Sequence, residues 1–254
     1  MTRQLLIAQN NGVLQVTLNR PERRNALTNV MLGELVNALS SAAADPAVRV
    51  VVLKGADRDF SSGFDLEEGR DLDAARQHAE QLVTVLLALV EAPFVSVAIA
   101  QGFTLAGGGA IAAATDFAVA VDGVKFGYPV LKVGVVPTPG VPLLRRQLRD
   151  RDLRELVFGG ELKGGDWALE KGLVNALCAD SASANAAVEK FASAILASSP
   201  AAVRATKRFT DRWTRTTLRQ ELEEALSFFM EVREGPEAQE GLNAFAEKRL
   251  PSWS

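Results

Sequence analysis

The chain has 254 residues, is 48% hydrophobic and 23% charged, and carries a net charge of −3 with a pI near 5.4. That balance suits a globular protein with a large core and gives no general attraction to nucleic acid or to anionic membranes. A single cysteine (Cys178) excludes an internal disulfide, and the chain has a single histidine (His78). They also argue against a zinc site or a Cys–His dyad, so no metal is expected, and a lone thiol fits a reducing cytoplasm.

In chain order, the opening MTRQLLIAQN has no long apolar run, so no secretory leader is expected. Short β-branched runs predict strands at VLQVTLN (13–19), VRVVVLKG (48–55), FVSVAIA (94–100) and FAVAVD (117–122). Between them, MLGELVNALSSAAA (31–44) predicts a helix entered through Thr28 and Asn29, and a second helix covers about 72–90, closed by Pro93. The apolar stretch Leu82 to Phe103 is interrupted by Glu91 and Pro93, so it reads as helix then strand and not as a membrane span. Strands alternating with helices give an α/β fold. From Ala184 onward only helices are predicted, over 184–198, 201–215, 218–233 and 237–248, which divides the chain into a body (1–195) and a helical region (196–254). Arg204, Arg208, Arg212, Arg215 and Arg219 recur at spacings of 4, 4, 3 and 4 and share one helical face, which reads first as a solvated face.

LAGGGAIAAATD (105–116) carries three consecutive glycines followed by apolar residues. Glycines entering a helix leave first-turn N–H groups free at the positive end of the dipole, a site for a developing anion. A second glycine turn, SSGFD (61–65), follows the 48–55 strand. Alone it is an ordinary turn, but two backbone donors converging on one oxygen would make an oxyanion hole.

Two other motifs are decoys. Residues 107–112 match G-x-G-x-x-A, yet six residues separate Gly107 from the predicted strand, where a dinucleotide turn should follow directly. Tyr128 and Lys132 have the Tyr-x-x-x-Lys spacing of short-chain dehydrogenases, but Pro129 argues against a helix between them. His78, in ARQHAEQL, reads as a solvated residue on a polar helix face. FSSGFDL lacks the nucleophile elbow of a serine hydrolase.

Five segments in order resemble the crotonase family, the enoyl-CoA hydratase/isomerase superfamily. They are VTLNRPERRNALT (16–28), FSSGFDL, QGFTLAGGGAIAAATDFAVA, GLVNALC (172–178) and EGPEAQEGLNAFAEKRLPSW (234–253). The resemblance implies a spiral of strand–strand–helix turns, with C-terminal helices that build a homotrimer or a hexamer of two trimers. It implies an acyl-CoA substrate, the coenzyme A being carried by the substrate with no separate cofactor, and a thioester carbonyl held by the amides of Phe64 and Gly108. On the same basis Arg24, with Ala26 nearby, matches the CoA-phosphate segment. Phe64, Asp65 and Leu66 match the segment bordering the adenine and pantetheine, and the resemblance also implies a CoA-binding place for Ser62.

The family's two hydratase glutamates fall at Ile111 and Val130, so both carboxylates are absent. A general acid–base group contributes ~10²–10⁴ in rate, and hydration by the family mechanism should be severely reduced. Tyr128, Asp65 and Thr138 come from segments bordering the family's acyl pocket. Tyr128 is a candidate proton donor, Asp65 reads as structural, and Thr138 sits near an aspartate of dehalogenase-type relatives. Three outcomes stay open: an atypical lyase or isomerase, a decarboxylase or hydrolase relying on the oxyanion hole, and an acyl-CoA-binding protein without turnover. Restoring glutamates at 111 and 130 together is expected to raise hydration.

Overall fold

A computed structural model describes residues 3–210 and 217–249. Its main sheet has six strands in the order β1 (Leu5–Asn10), β2 (Val13–Leu18), β3 (Val50–Gly55), β4 (Val95–Ala100), β6 (Phe117–Val121) and β8 (Ala176–Cys178). All neighbours are parallel except the β1–β2 hairpin. Every residue of β4 is buried, as expected of an unbroken apolar run in a parallel sheet covered on both faces.

A second, short layer runs beside this sheet. It contains β5 (Phe103–Leu105) paired with β7 (Lys125–Gly127), extended by bridges Leu27–Phe64, Ser61–Thr104 and Phe126–Lys163. The chain therefore repeats a unit of main-sheet strand, short second-layer segment and helix. β2 leads through Leu27 to α1 (Asn29–Ala44), β3 through Ser61–Phe64 to α2 (Leu72–Val90), and β4 through β5 to α3 (Ala106–Ala113). This is the expected spiral of ββα turns.

Local sequence accounts for the helix starts. Thr28 caps α1 by accepting from the Met31 amide at 3.0 Å, and Asp71 caps α2 by accepting from Ala74 at 2.8 Å. The later helices are α4 (Val141–Gln147), α5 (Asp150–Phe158), α6 (Gly165–Glu170), α7 (Ser181–Leu196), α8 (Pro200–Thr210), α9 (Leu218–Arg233) and α10 (Pro236–Ala246). Several boundaries differ from the sequence expectation. β1, β5 and β7 have no predicted counterpart. β1 exposes five of its six residues and so shows no buried-face alternation, while β5 and β7 are three residues each, too short for a periodic signal. The late strand falls on Ala176–Cys178; Gly172 is a turn at φ 78°, and Leu173 and Val174 are buried before the strand begins.

The C-terminal helices fold back on the body. α9 packs on α2 and α4, and α10 packs on the 3-10 turn Pro129–Val133. Leu222 and Phe229 of α9 are buried within the chain itself. Phe228 and Phe245 remain exposed on α9 and α10. Lys207 of α8 anchors that helix by donating to the Leu89 and Phe94 carbonyls, both at 2.9 Å, and pairing with Asp116 at 2.6 Å. In the arginine stripe, Arg204 and Arg208 are exposed and Arg219 pairs with Glu91 at 2.8 Å. Arg212 and Arg215 lie outside the described residues. No helix among the described residues is long and apolar enough to cross a membrane.

Candidate active site

The Ser61–Asp65 turn is stitched between two neighbours. On one side Ser62 donates to Arg24 O at 3.0 Å, Leu27 donates to Gly63 O at 2.8 Å, and Asp65 donates to Leu27 O at 3.0 Å. Leu27 thus bonds to the residues on either side of Phe64. By the alternation of extended backbone, the Phe64 N–H is turned away from Leu27. On the other side Ser61 donates to Phe103 O and accepts from Leu105 N–H, both at 2.9 Å. The turn is thereby tied to the start of α3.

That start is unusual. Ala106 enters the helix at φ 46°, a left-handed conformation that costs a non-glycine residue roughly 1–2 kcal/mol. Leu105 offers no side-chain cap, and the first turn contains no acid. Gly108 is the third residue of α3, so its N–H belongs to the first turn, which has no intrahelical acceptor. The glycines are required by packing as well as by any ligand. A Cβ on Gly108 would lie 2.7 Å from Ser61 Cβ, and one on Gly63 (φ 89°) would lie 2.9 Å from Ala106 Cβ. The two turns touch through glycine along one edge.

Against this edge lies a narrow cavity of about 50 Å³. A larger groove of about 650 Å³ between β1 and α1 shares no lining residue with either glycine turn. The narrow cavity's wall includes Phe64, Leu66, Gly107, Ala110, Tyr128 and Val130. Of the residues picked from sequence, Phe64, Leu66, Tyr128 and Val130 therefore meet here, with Gly108 adjoining through Gly107.

Other expected residues are placed differently. Ile111 is fully buried in the main core and is absent from the cavity wall. Thr138 is also off the wall, because its hydroxyl donates to Ala225 O at 2.8 Å and binds the loop to α9. The Asp65 carboxylate accepts from Arg20 at 2.9 Å and from the Glu67 amide at 3.1 Å, a strut and not a free acid. Arg24 is exposed at φ 52°, its guanidinium 4.7 Å from the Phe103 ring centroid, and Ala26 is buried behind it with its carbonyl taken by Arg20. Ser62 is half-buried at the same seam. Arg24 and Ser62 thus border the glycine turn without lining the cavity.

Two findings concern the decoys, one a correction and one in agreement with the sequence. The triplet follows a strand directly, since β5 ends at Leu105, but that strand belongs to the two-stranded layer and not to a doubly wound sheet. Tyr128 and Lys132 are joined by a 3-10 turn, which removes the α-helical spacing of the dehydrogenase pair.

His78 is the residue that the sequence reading misplaced. It is buried, its ring stacks on Phe64 with centroids 3.8 Å apart, and it lines the cavity. Burial pushes its pKa down to about 3, so the imidazole is neutral. The signal was available: Ala75, His78, Ala79 and Leu82 fall at i, i+3, i+4 and i+7 of α2, and all four are buried. The polar Gln77, Glu80 and Gln81 between them masked the stripe. Burial also holds the Tyr128 phenol above its ordinary pKa.

The family model for enoyl-CoA hydratase/isomerase matches residues 8–254. The chain belongs to the enoyl-CoA hydratase/isomerase family. Among family members, the 2,3-dehydroadipyl-CoA hydratase of Escherichia coli K12 is 30% identical over 98% of both chains. The carnitinyl-CoA dehydratase of the same organism is 31% identical over 100% of this chain and 99% of its own. A crystal structure of an enoyl-CoA hydratase/isomerase from Xanthobacter autotrophicus Py2 superposes with a TM-score of 0.89 at 31% identity, covering 98% of this chain and 95% of that one. The ββα spiral and the C-terminal helices are the family's crotonase fold.

Proposed function

We propose that the protein binds an acyl-CoA thioester, places its carbonyl oxygen between the Phe64 and Gly108 amides, and stabilises the negative charge that develops there. The observation that carries this reading is the close contact of the two glycine turns, with the Phe64 N–H turned away from Leu27 and Gly108 in the first turn of a helix without a side-chain cap. Each such donor is worth ~10²–10³ in rate. Arg24 and Ser62 lie where the CoA portion would leave the cavity, with Ala26 and the Asp65–Arg20 strut supporting them. Leu66 and Val130 bound the acyl chain.

The reaction is a lyase or isomerase step on the thioester enolate, slowed because the cavity wall carries no carboxylate. The neutral Tyr128 phenol is the group able to donate a proton or hydrogen bond. A second reading, acyl-CoA binding without turnover, draws on the same all-neutral wall. A turnover screen on acyl-CoAs, including malonyl-type, 2-enoyl and 3-enoyl thioesters, separates them. Product from any one supports an enzyme, and saturable binding without product supports a binder. If neither appears, the acyl-CoA reading is wrong.

The assembly proposed is a homotrimer or hexamer built by residues 196–254, supported by the exposed Phe228 and Phe245. A stable monomer in sedimentation at micromolar concentration would contradict it. The compartment proposed is the cytoplasm, which suits the unpaired Cys178.

A further inference from the structure

The main sheet ends on one side at β8, three residues long, and on the other at β1, six residues long and paired only with β2 among the described residues. An edge strand offers unpaired N–H and C=O groups, which proteins usually guard with charge, proline or a bulge. β1 has none of these. No charged residue or proline occurs from Gln4 to Asn19, and the β1–β2 register runs unbroken from Leu5–Leu18 to Asn10–Val13. Asn19 donates to Gln4 O at 2.8 Å. By the alternation of an antiparallel ladder, Leu5, Ile7 and Gln9 then turn their main-chain groups outward. Leu6 and Ile7 are exposed on opposite faces of the strand. Ile7 also lines the groove of about 650 Å³ between β1 and α1. α1 runs in the same direction as β1, since its N-cap Thr28 bonds to Gln4 and its C-cap Asp45 bonds to Gln9. The exposed Arg3 therefore stands at one end of the groove and Asp45 at the other. The Asp45 carboxylate accepts from the Gln9 side chain at 3.2 Å and from the Ala47 amide at 2.9 Å, neither of them a cation.

We propose that β1 pairs antiparallel with β1 of a second copy about a twofold axis through Leu6, joining two six-stranded sheets into one. Such a contact is isologous, so each feature must find its complement within the same surface. β1 and its groove supply these complements. With Leu6 opposite the partner's Leu6, Leu5 stands opposite the partner's Ile7, and the two exchange main-chain bonds through their outward groups. Arg3 falls opposite the partner's Gln9, at the end of the groove that holds the partner's Asp45. Antiparallel pairing thus brings the cation of each groove to the carboxylate of the other, twice per contact. An unrelated strand could use the same main-chain groups but would not match both end charges. No residue of this groove belongs to 196–254 or to the acyl-CoA cavity.

The test combines sedimentation with cross-linking of the full-length protein, the cysteine variants being made in a Cys178→Ser background. Leu6→Lys should halve the mass of the wild-type assembly at micromolar concentration, whatever residues 196–254 contribute to it. Arg3→Glu should weaken the contact about tenfold or more, because it sets like charges against each other, and Arg3→Glu combined with Asp45→Arg should restore it. Leu6→Cys should form a disulfide between copies on mild oxidation, since the two Cα atoms face each other about 4.5 Å apart in a non-hydrogen-bonded pair. Ala8→Cys, on the same face but about 13 Å from its counterpart, should not. Circular dichroism checks that each variant folds. A mass unchanged by Leu6→Lys, or cross-linking no better through Leu6→Cys than through Ala8→Cys, would overturn the proposal. A trimer that none of the β1 variants alters would do the same while leaving assembly through 196–254 intact.

Discussion

The two halves of the site are made of different material. The half formed by Ser61–Asp65 and the start of α3 is backbone, held by main-chain hydrogen bonds of 2.8–3.0 Å and by glycines too tightly placed for a Cβ. The facing half, from α2 and the Tyr128–Gly140 segment, is side chain, held by apolar contacts and containing two open polar atoms. A backbone anion site does not depend on the chemistry of neighbouring side chains, and the wall beside it carries no carboxylate. The wall decides which chemistry, if any, follows. Function class is therefore written in the first half and reaction type in the second.

Breaking the backbone half should have the largest effect. Gly108→Ala places a methyl 2.7 Å from Ser61 Cβ and pries the turns apart. We expect a loss of ~10²–10³ in turnover of the best thioester found, with the fold retained by circular dichroism. A rate within about threefold of wild type would contradict the placement of the hole.

Next in size is the contrast between Ile111 and Val130, the two positions where the family resemblance implies a carboxylate. Ile111 is fully buried, whereas Val130 is half-buried on the cavity wall. Ile111→Glu should destabilise by about 3 kcal/mol or take up a proton at neutral pH, because an unpaired charge is buried. Val130→Glu should cost about 1 kcal/mol. Urea melts of both variants give the comparison. Any hydration gained by the double variant should come through position 130, and a larger gain from Ile111→Glu alone would contradict this.

Away from the site, Lys207→Met removes the ion pair and two carbonyl contacts that hold α8. A loss of about 2 kcal/mol is expected in the same melts, with thioester affinity changed less than in Gly108→Ala. Equal stability of variant and wild type would show that α8 docks by other means.

A pH-dependent effect sharpens the wall half. His78 has a native pKa of about 3 against an ordinary value of 6.5. Between those values the unfolded chain holds a proton that the native chain does not. This contribution is fully present above pH ~6.5 and is lost as the pH falls toward 3, by up to about 1.4 kcal/mol per pH unit. Subtracting the stability–pH curve of His78→Phe from that of wild type isolates it. Parallel curves between pH 4 and 6 would show that His78 is not buried as described.

Much of this was legible in the sequence because glycine patterns and strand runs report backbone requirements directly. The four long strand runs and the GGG and SSGFD turns each carry a local signature, and their order named the family. The wall was harder to read. The resemblance implies pocket positions for Ile111 and Thr138, yet Ile111 is fully buried off the cavity wall and Thr138 is tied to Ala225. Tertiary packing and a long-range hydrogen bond decide such things, and neither has a local signal. His78 failed for a different reason. Its apolar stripe was present at helical spacing, but polar neighbours drew attention to the wrong face of α2.

The central claim is that the Phe64 and Gly108 amides polarise a thioester carbonyl. Difference infrared spectra of butanoyl-CoA, unlabelled and ¹³C-labelled at that carbonyl, measure this in the bound complex without requiring turnover. The account predicts a bound carbonyl band at lower frequency than in free thioester, and its return toward the free position in Gly108→Ala. A thioester that binds wild type with its carbonyl band at the solution frequency would contradict it.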